Sequence, residues 1–225
     1  MGEALLFGLL GRVLYTNPAR EWLEPLATDG LFDDVPFGSS QDSTQHGLAL
    51  LSGWAAAVSE AGLSDEMLKA LRVDFAHLFV GERRMAVPAW ESVYFSPERL
   101  TFQDETVNVR RWYERFGVQP GMQGKEPEDH IAFELSFVAH CAERAVEALE
   151  SGDEAAFGEL LAAQRAFLEQ HLLRWGWKWA ELAHDHAATD FYRGLALLVK
   201  GGLLELSDVF GLPIQWETRF PGLLA

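Results

Sequence analysis

Three carboxylates and an imidazole fall within five residues at Glu126-Pro127-Glu128-Asp129-His130. It is the most function-like stretch of the chain, because it packs acids and an imidazole into about one helical turn. The same spacing also reads as a helix start. Pro127 suits the first helical position, Glu126 stands near the N-cap, and Glu128 and Asp129 face the positive end of the helix dipole, where each acid is worth about 0.3–1 kcal/mol. A helix-stabilising role and a cation-binding role therefore both stand for these acids. His130 either donates to a ligand or ties the helix start to the chain before it.

Four other groupings carry weaker chemical signals. Gly121-Met122-Gln123-Gly124-Lys125 has a phosphate-loop texture, but Glu126 stands where Ser or Thr belongs and Gln119 where the first Gly belongs. Glu181-Leu182-Ala183-His184 has the Glu-x-x-His spacing of helical di-metal carboxylate sites. Such a site needs two copies of that motif and two further glutamates, and the second copy is missing. His184-Asp185-His186 reads as a solvated helix end. Cys141, the sole cysteine, sits on an apolar helical pattern and reads as an inert buried thiol, which excludes an internal disulfide framework. No local motif favours a serine or cysteine hydrolase.

The elements that must position these residues are helices. Apolar residues recur at three- and four-residue spacing almost throughout, with no convincing period of two, so the fold class is all-α, with about ten helices. Leu5, Leu6, Leu9, Leu10, Val13 and Leu14 predict a first helix ending near Asn17-Pro18, and a short second one reaches Leu26. After a loop at Asp29–Ser43, a helix runs from Thr44 to Glu60 and stops at Gly62. Ser64 caps the next, which Gly81 ends. Ala89–Phe95 is a short helix or turn, and Asp104 caps a helix through Phe116. The helix starting at the acidic turn buries Ile131, Leu135, Val138, Ala142 and Val146. Asp153 caps its successor, a helical segment covers Trp177–His184, and the last helix spans Thr189–Phe210. Glycines and a proline in Val118–Lys125 predict a hinge near 118–126. The expectation is one domain over 1–225, with subdomains 1–117 and 127–225 if the hinge divides it.

Composition narrows the function classes. At 225 residues the chain can bury roughly 70% of its unfolded surface, so a core is expected without disulfides or metal. With 48% hydrophobic and 23% charged residues it is an ordinary globular composition. Eighteen basic against 34 acidic residues give a net charge of -16, which disfavours nucleic acid and anionic lipid and attracts basic partners. Glu3 occupies the place of a basic n-region and Arg12 interrupts the first apolar run, so no secretion signal is read there. Leu6 stands where a myristoylation site needs Ser or Thr. Without a stretch of 18 or so uncharged apolar residues, no stable membrane insertion is expected and the localisation is cytoplasmic. Arg83-Arg84 reads as a solvated loop, because twin-arginine export signals precede an N-terminal apolar run.

Three blocks in order resemble the TorD/DmsD family of cytoplasmic chaperones for twin-arginine-exported molybdoenzymes, most closely its DmsD-like members. The first is Phe75-Ala76-His77-Leu78-Phe79-Val80-Gly81 with Pro88-Ala89-Trp90-Glu91-Ser92-Val93-Tyr94, and the second is Glu126 to Ile131. The third is Phe167-Leu168-Glu169-Gln170-His171-Leu172-Leu173-Arg174-Trp175, which matches the family's His-Leu-x-x-Trp. Pro88 stands alone where relatives carry several prolines. The resemblance implies an all-helical chaperone, not an enzyme, with no cofactor or metal of its own. Its partners would be the twin-arginine signal peptide and the apo form of a molybdopterin oxidoreductase catalytic subunit, held until cofactor insertion is complete and export follows. On this reading Glu126, Glu128 and Asp129 supply charge to a cationic leader, with His130 as a polar neighbour. Phe75, Leu78, Phe79, Trp90 and Tyr94 supply an apolar groove, although such a stripe also suits plain core, and His171 reads as a structural buried histidine. The alternative function is the helical di-metal enzyme.

Overall fold

A computed structural model of the chain describes residues 1–80, 85–119 and 126–214. The fold is all-α: the helices are α1 Gly2–Tyr15, α2 Arg20–Thr28, α3 Asp42–Ala61, α4 Asp65–Phe79, α5 Glu91–Phe95, α6 Asp104–Arg115, α7 Ile131–Ser151, α8 Glu154–Phe167, α9 Leu173–His186 and α10 Asp190–Phe210. A π-helical turn, Leu168–Leu172, joins α8 to α9. No strand occurs among the described residues, only an isolated antiparallel bridge between Trp90 and His130.

Local chemistry sets most helix ends. Ser64 accepts the Met67 N–H at 3.1 Å to open α4, and Asp153 accepts the Ala156 N–H at 3.0 Å to open α8. Gly152 ends α7 with φ 74°, the left-handed conformation that a residue with a Cβ resists. Two starts differ from expectation. Asp104 is the first residue of α6 rather than its cap, and α7 begins at Ile131, four residues after Pro127. The acidic turn therefore precedes the helix, because the backbone at 129–131 is tied to 89–91 by Glu91 N–H to Asp129 O at 2.9 Å and Ile131 N–H to Ala89 O at 2.7 Å.

The chain gathers into two compact units. The first holds Met1–Leu14, Ala89–Gly176 and the segment from Ser207 onward, and the second holds Tyr15–Pro88 and Trp177–Leu206. Residues on both sides of the expected hinge thus fall within the first unit. Residues 120–125 of that hinge, with the phosphate-loop-like stretch, lie outside the described residues, as do Gly81 and Arg83-Arg84. In the first unit α7 packs against α8, and Phe137 and Phe167 meet at 4.6 Å between ring centroids. Phe7 and Leu10 from α1, Tyr113 from α6 and Trp175 complete its solvent-free core.

The second unit has Leu23, Leu51, Leu71, Leu78, Trp179, Phe191 and Leu195 in its interior. Buried Asp74 on α4 opens α10 from outside that helix, accepting the Thr189 N–H at 2.7 Å, the Thr189 hydroxyl at 2.6 Å and the Ala188 N–H at 3.0 Å. Two glycines let α3 and α10 approach. A Cβ on Gly47 would lie 2.8 Å from the Gly194 carbonyl oxygen, and one on Gly194 would lie 2.6 Å from Leu51 Cγ. Gly47→Ala is expected to lose about 1–3 kcal/mol of stability by overpacking. Gly53→Ala on the same helix, facing open space, should gain about 0.5–1 kcal/mol. Urea unfolding of the two variants checks the contrast.

Candidate functional site

The turn 126–130 is built from residues with opposite exposures. Asp129 is 0% exposed, and a buried carboxyl group must find its hydrogen bonds inside the protein. Its Oδ2 accepts the Ser92 backbone N–H at 2.7 Å and its Oδ1 accepts the Thr106 hydroxyl at 2.7 Å, which ties the turn to α5 and α6. His130 is also buried. As N-cap of α7 its Nδ1 accepts the Ala132 N–H at 3.1 Å, and burial pushes its pKa down from 6.5 to about 3, so it stays neutral. Its ring stands edge-on to Trp90, 5.8 Å between centroids.

Glu126 and Glu128 are partly exposed, the Glu128 side chain to 15%. Glu126 Oε1 accepts the Trp90 indole N–H at 2.8 Å, and partial burial raises its pKa against that hydrogen bond. Glu128 takes a bidentate grip from Arg110, Nε at 2.7 Å and Nη2 at 3.0 Å, and that contact lowers its pKa. The Tyr113 hydroxyl donates to the Glu128 carbonyl at 3.1 Å. The turn therefore already holds one guanidinium at its surface, in the fork geometry that carboxylates favour.

Beneath the turn lies a second polar layer. Glu91 and Glu134 are both 0% exposed. Glu91 Oε2 lies 2.7 Å from His171 Nδ1, and Arg174 Nη1 stands 3.6 Å from Glu91 Oε1. The π-helical turn carries His171 inward beside Leu168 and Leu172, ahead of Trp175, which donates its indole N–H to Glu134 Oε2 at 3.2 Å. Burial pushes the Glu91 pKa up, opposed by the His171 and Arg174 charges. It pushes Glu134 up further, reinforced by the charges of Glu91 and Asp129, and Glu134 Oε1 has no hydrogen-bond partner among the described residues. Two neighbouring carboxyl groups in a dry site cannot both ionise cheaply, which adds to the upward push that burial gives Glu134.

Trp90, Tyr94, Glu126, Glu128, Asp129 and His130 all belong to the first unit, with Tyr94 buried against Trp175 at 5.2 Å. Phe75, Leu78 and Phe79 belong to the second unit and are 6%, 0% and 8% exposed. Phe79 stacks on Trp179 at 5.9 Å and meets Tyr192 edge-on at 5.8 Å. Their apolar surface is spent in that unit's core. The Glu-x-x-His pair is spoken for as well: Glu181 takes Lys200 at 2.7 Å and Lys178 at 3.1 Å, while His184 bonds Asp185. Among the described residues no group of three or more His, Cys, Asp or Glu side chains is placed to hold a metal ion. Cys141 is buried, and its pKa is pushed up to about 12 by burial. Glu91, Glu134, Thr106 and Arg110 are the residues sequence reasoning passed over. A signal existed for Glu134, three residues after Ile131 and four before Val138 on the buried face of α7.

Parts of the three sequence blocks thus meet in the first unit, Glu91-Ser92 from the first, Asp129-His130 from the second, His171 and Trp175 from the third, while Phe75–Phe79 of the first block lies in the second unit. A family model described as nitrate reductase delta subunit matches residues 41–181, more than half of the chain. The chain belongs to the TorD/DmsD family. It is 28% identical over 212 residues to the Tat proofreading chaperone DmsD of Salmonella typhi, covering 94% of this chain and 92% of that one. It is 29% identical over 142 residues to a probable Tat proofreading chaperone DmsD of Haemophilus influenzae, 63% of this chain and 61% of that one. To the chaperone protein TorD of Aliivibrio salmonicida it is 27% identical over 122 residues, 54% of this chain and 55% of that one. In this TorD/DmsD member the motif residues are first of all a buried hydrogen-bonded frame.

Two measurements check that frame. Asp129→Ala strands the Ser92 N–H and the Thr106 hydroxyl and is expected to cost about 3 kcal/mol, against about 1 kcal/mol for Thr106→Val, by denaturant unfolding. The His130 pKa lies below its unfolded value, so the unfolded state binds the extra proton. Stability should be full above pH 6.5 and be lost as pH falls from there towards 3. His130→Gln is expected to flatten that part of the stability curve, and the wild-type imidazole should remain neutral by NMR at about pH 5.

Proposed function

We propose that this chain is a redox-enzyme maturation chaperone whose acidic turn binds the twin-arginine leader of a molybdopterin oxidoreductase. It would hold the apo catalytic subunit in the cytoplasm until its cofactor is inserted. The supporting observation is the Glu128–Arg110 pair: a surface carboxylate, on a turn pinned by buried Asp129, already accepts a guanidinium with two hydrogen bonds. A leader arginine displaces Arg110 from Glu128, and Glu126 beside the Trp90 ring offers a second carboxylate with an apolar neighbour for the residues that follow. The net charge of -16 adds long-range attraction for a cationic segment. The names of the relatives, proofreading chaperones of the Tat system, point the same way. Among the described residues no helix is long and apolar enough to cross a membrane.

In this reading Asp129 and His130 fix the turn rather than touch the peptide, Tyr94 supports it from below, and Phe75, Leu78 and Phe79 stay in the core. The role is binding, not catalysis. Titration calorimetry with a synthetic twin-arginine leader tests it. Micromolar binding is worth only about -8 kcal/mol, so a lost charge pair is plainly visible. Glu128→Gln is expected to weaken binding roughly tenfold or more at low salt with little change in melting, and Arg110→Ala to strengthen it by removing the internal competitor. Unchanged affinity in both folded variants would refute the assignment.

A further inference from the structure

The loop between α5 and α6, with the first turn of α6, leaves apolar side chains in water that the frame around Asp129 does not use. Leu100 is 50% exposed, Phe102 58% and Val107 40%. The loop is nonetheless a built turn. Buried Ser96 accepts the Arg99 N–H on its carbonyl at 3.1 Å and the Leu100 N–H on its hydroxyl at 3.2 Å, and Gln103 Nε2 donates to the Thr101 carbonyl at 2.9 Å. Arg99 and Phe102, with φ of 54° and 59°, are the non-glycine residues of positive φ among those described. A bulky side chain resists that conformation, and here the conformation presents an aromatic ring to solvent instead of burying it.

Both ends of this loop are fastened to the acidic turn. Asp129 Oδ2 accepts the Ser92 N–H and its Oδ1 accepts the Thr106 hydroxyl, so the chain between 93 and 105 leaves one carboxylate and returns to it, next in sequence to Glu128. Val107 follows Thr106 directly and stands one helical turn before Arg110, which grips Glu128. Within 96–107 Glu98, Asp104 and Glu105 stand against Arg99. With Glu126 and Glu128 of the turn and Arg110 and Arg111 of α6 the balance is five acids to three bases. Apolar side chains bordered by net negative charge match a segment in which cationic residues precede an apolar run. We propose that Leu100, Phe102 and Val107 form the subsite for the apolar run of the leader. The proposal rests on the acidic-turn reading above and adds the surface that tells a leader from any other basic peptide.

Titration calorimetry on the full chain tests it with two synthetic peptides, a twin-arginine leader and the same peptide with its apolar run replaced by serine and glycine. Phe102→Asn removes the ring and keeps a residue that tolerates a φ of 59°, so its melting midpoint should not fall. Phe102→Asn and Leu100→Ser are each expected to weaken the leader at least fivefold and to leave the replaced peptide within twofold of its wild-type affinity. Glu128→Gln should weaken both peptides. Unchanged leader affinity in Phe102→Asn, with Glu128→Gln weakened, would overturn the apolar subsite and leave the acidic turn standing. Unchanged affinity in Glu128→Gln, with the leader alone weakened in Phe102→Asn, would support the subsite and overturn the acidic-turn assignment. Equal weakening of both peptides by Phe102→Asn, or a wild-type dimer in sedimentation that this variant breaks, would overturn the proposal, the dimer by giving the loop to a second copy.

Discussion

A carboxyl group with no exposure to water has to be answered by donors, and the conformation around Asp129 follows from how that is done. Its two oxygens draw the start of α5 and the first turn of α6 onto one loop, and its own carbonyl takes the Glu91 N–H. That closes the bridge between Trp90 and His130, which in turn delays α7 to Ile131. Glu126 and Glu128 sit on that fixed loop at its partly exposed edge, held by Trp90 and Arg110. Removing the buried acid would therefore disturb the surface ones without touching them.

Depth separates residues that look alike in sequence. Glu91, Asp129 and Glu134 are sealed inside, whereas Glu126 and Glu128 reach solvent. The sealed ones cost desolvation and are tolerated because His171, Arg174, Trp175, Ser92 and Thr106 meet them. α6 works on both sides of this frame. Arg110 grips the acidic turn, while Arg111 and Arg115 line a cleft with the π-helical turn.

Helix periodicity and caps were readable because they are local. Ser64, Asp153 and the terminal glycines of α3 and α7 act within a few residues of themselves, so spacing alone locates them. The start of α7 was not readable. Pro127 and the acids following it make a sound helix opening, and only partners 37 and 23 residues away, Ser92 and Thr106, override it. His171 was read as a structural buried histidine and is buried, but its partner Glu91, 80 residues distant, was not readable, nor was a second unit assembled from Tyr15–Pro88 and Trp177–Leu206. The Phe75, Leu78 and Phe79 stripe was ambiguous for another reason: an apolar helix face looks the same whether it meets a peptide or Trp179 and Tyr192.

The hydrogen-bonded frame around Asp129 is expected to open only when the first unit unfolds. Native-state amide hydrogen exchange at Glu91, Ser92 and Ile131 measures this directly, since these three N–H groups bond Asp129 O, Asp129 Oδ2 and Ala89 O. All three amides should exchange with the same free energy as the most protected amides of α7. Exchange at loop-like rates, while α7 stays protected, would contradict the account and make the acidic turn a mobile surface loop.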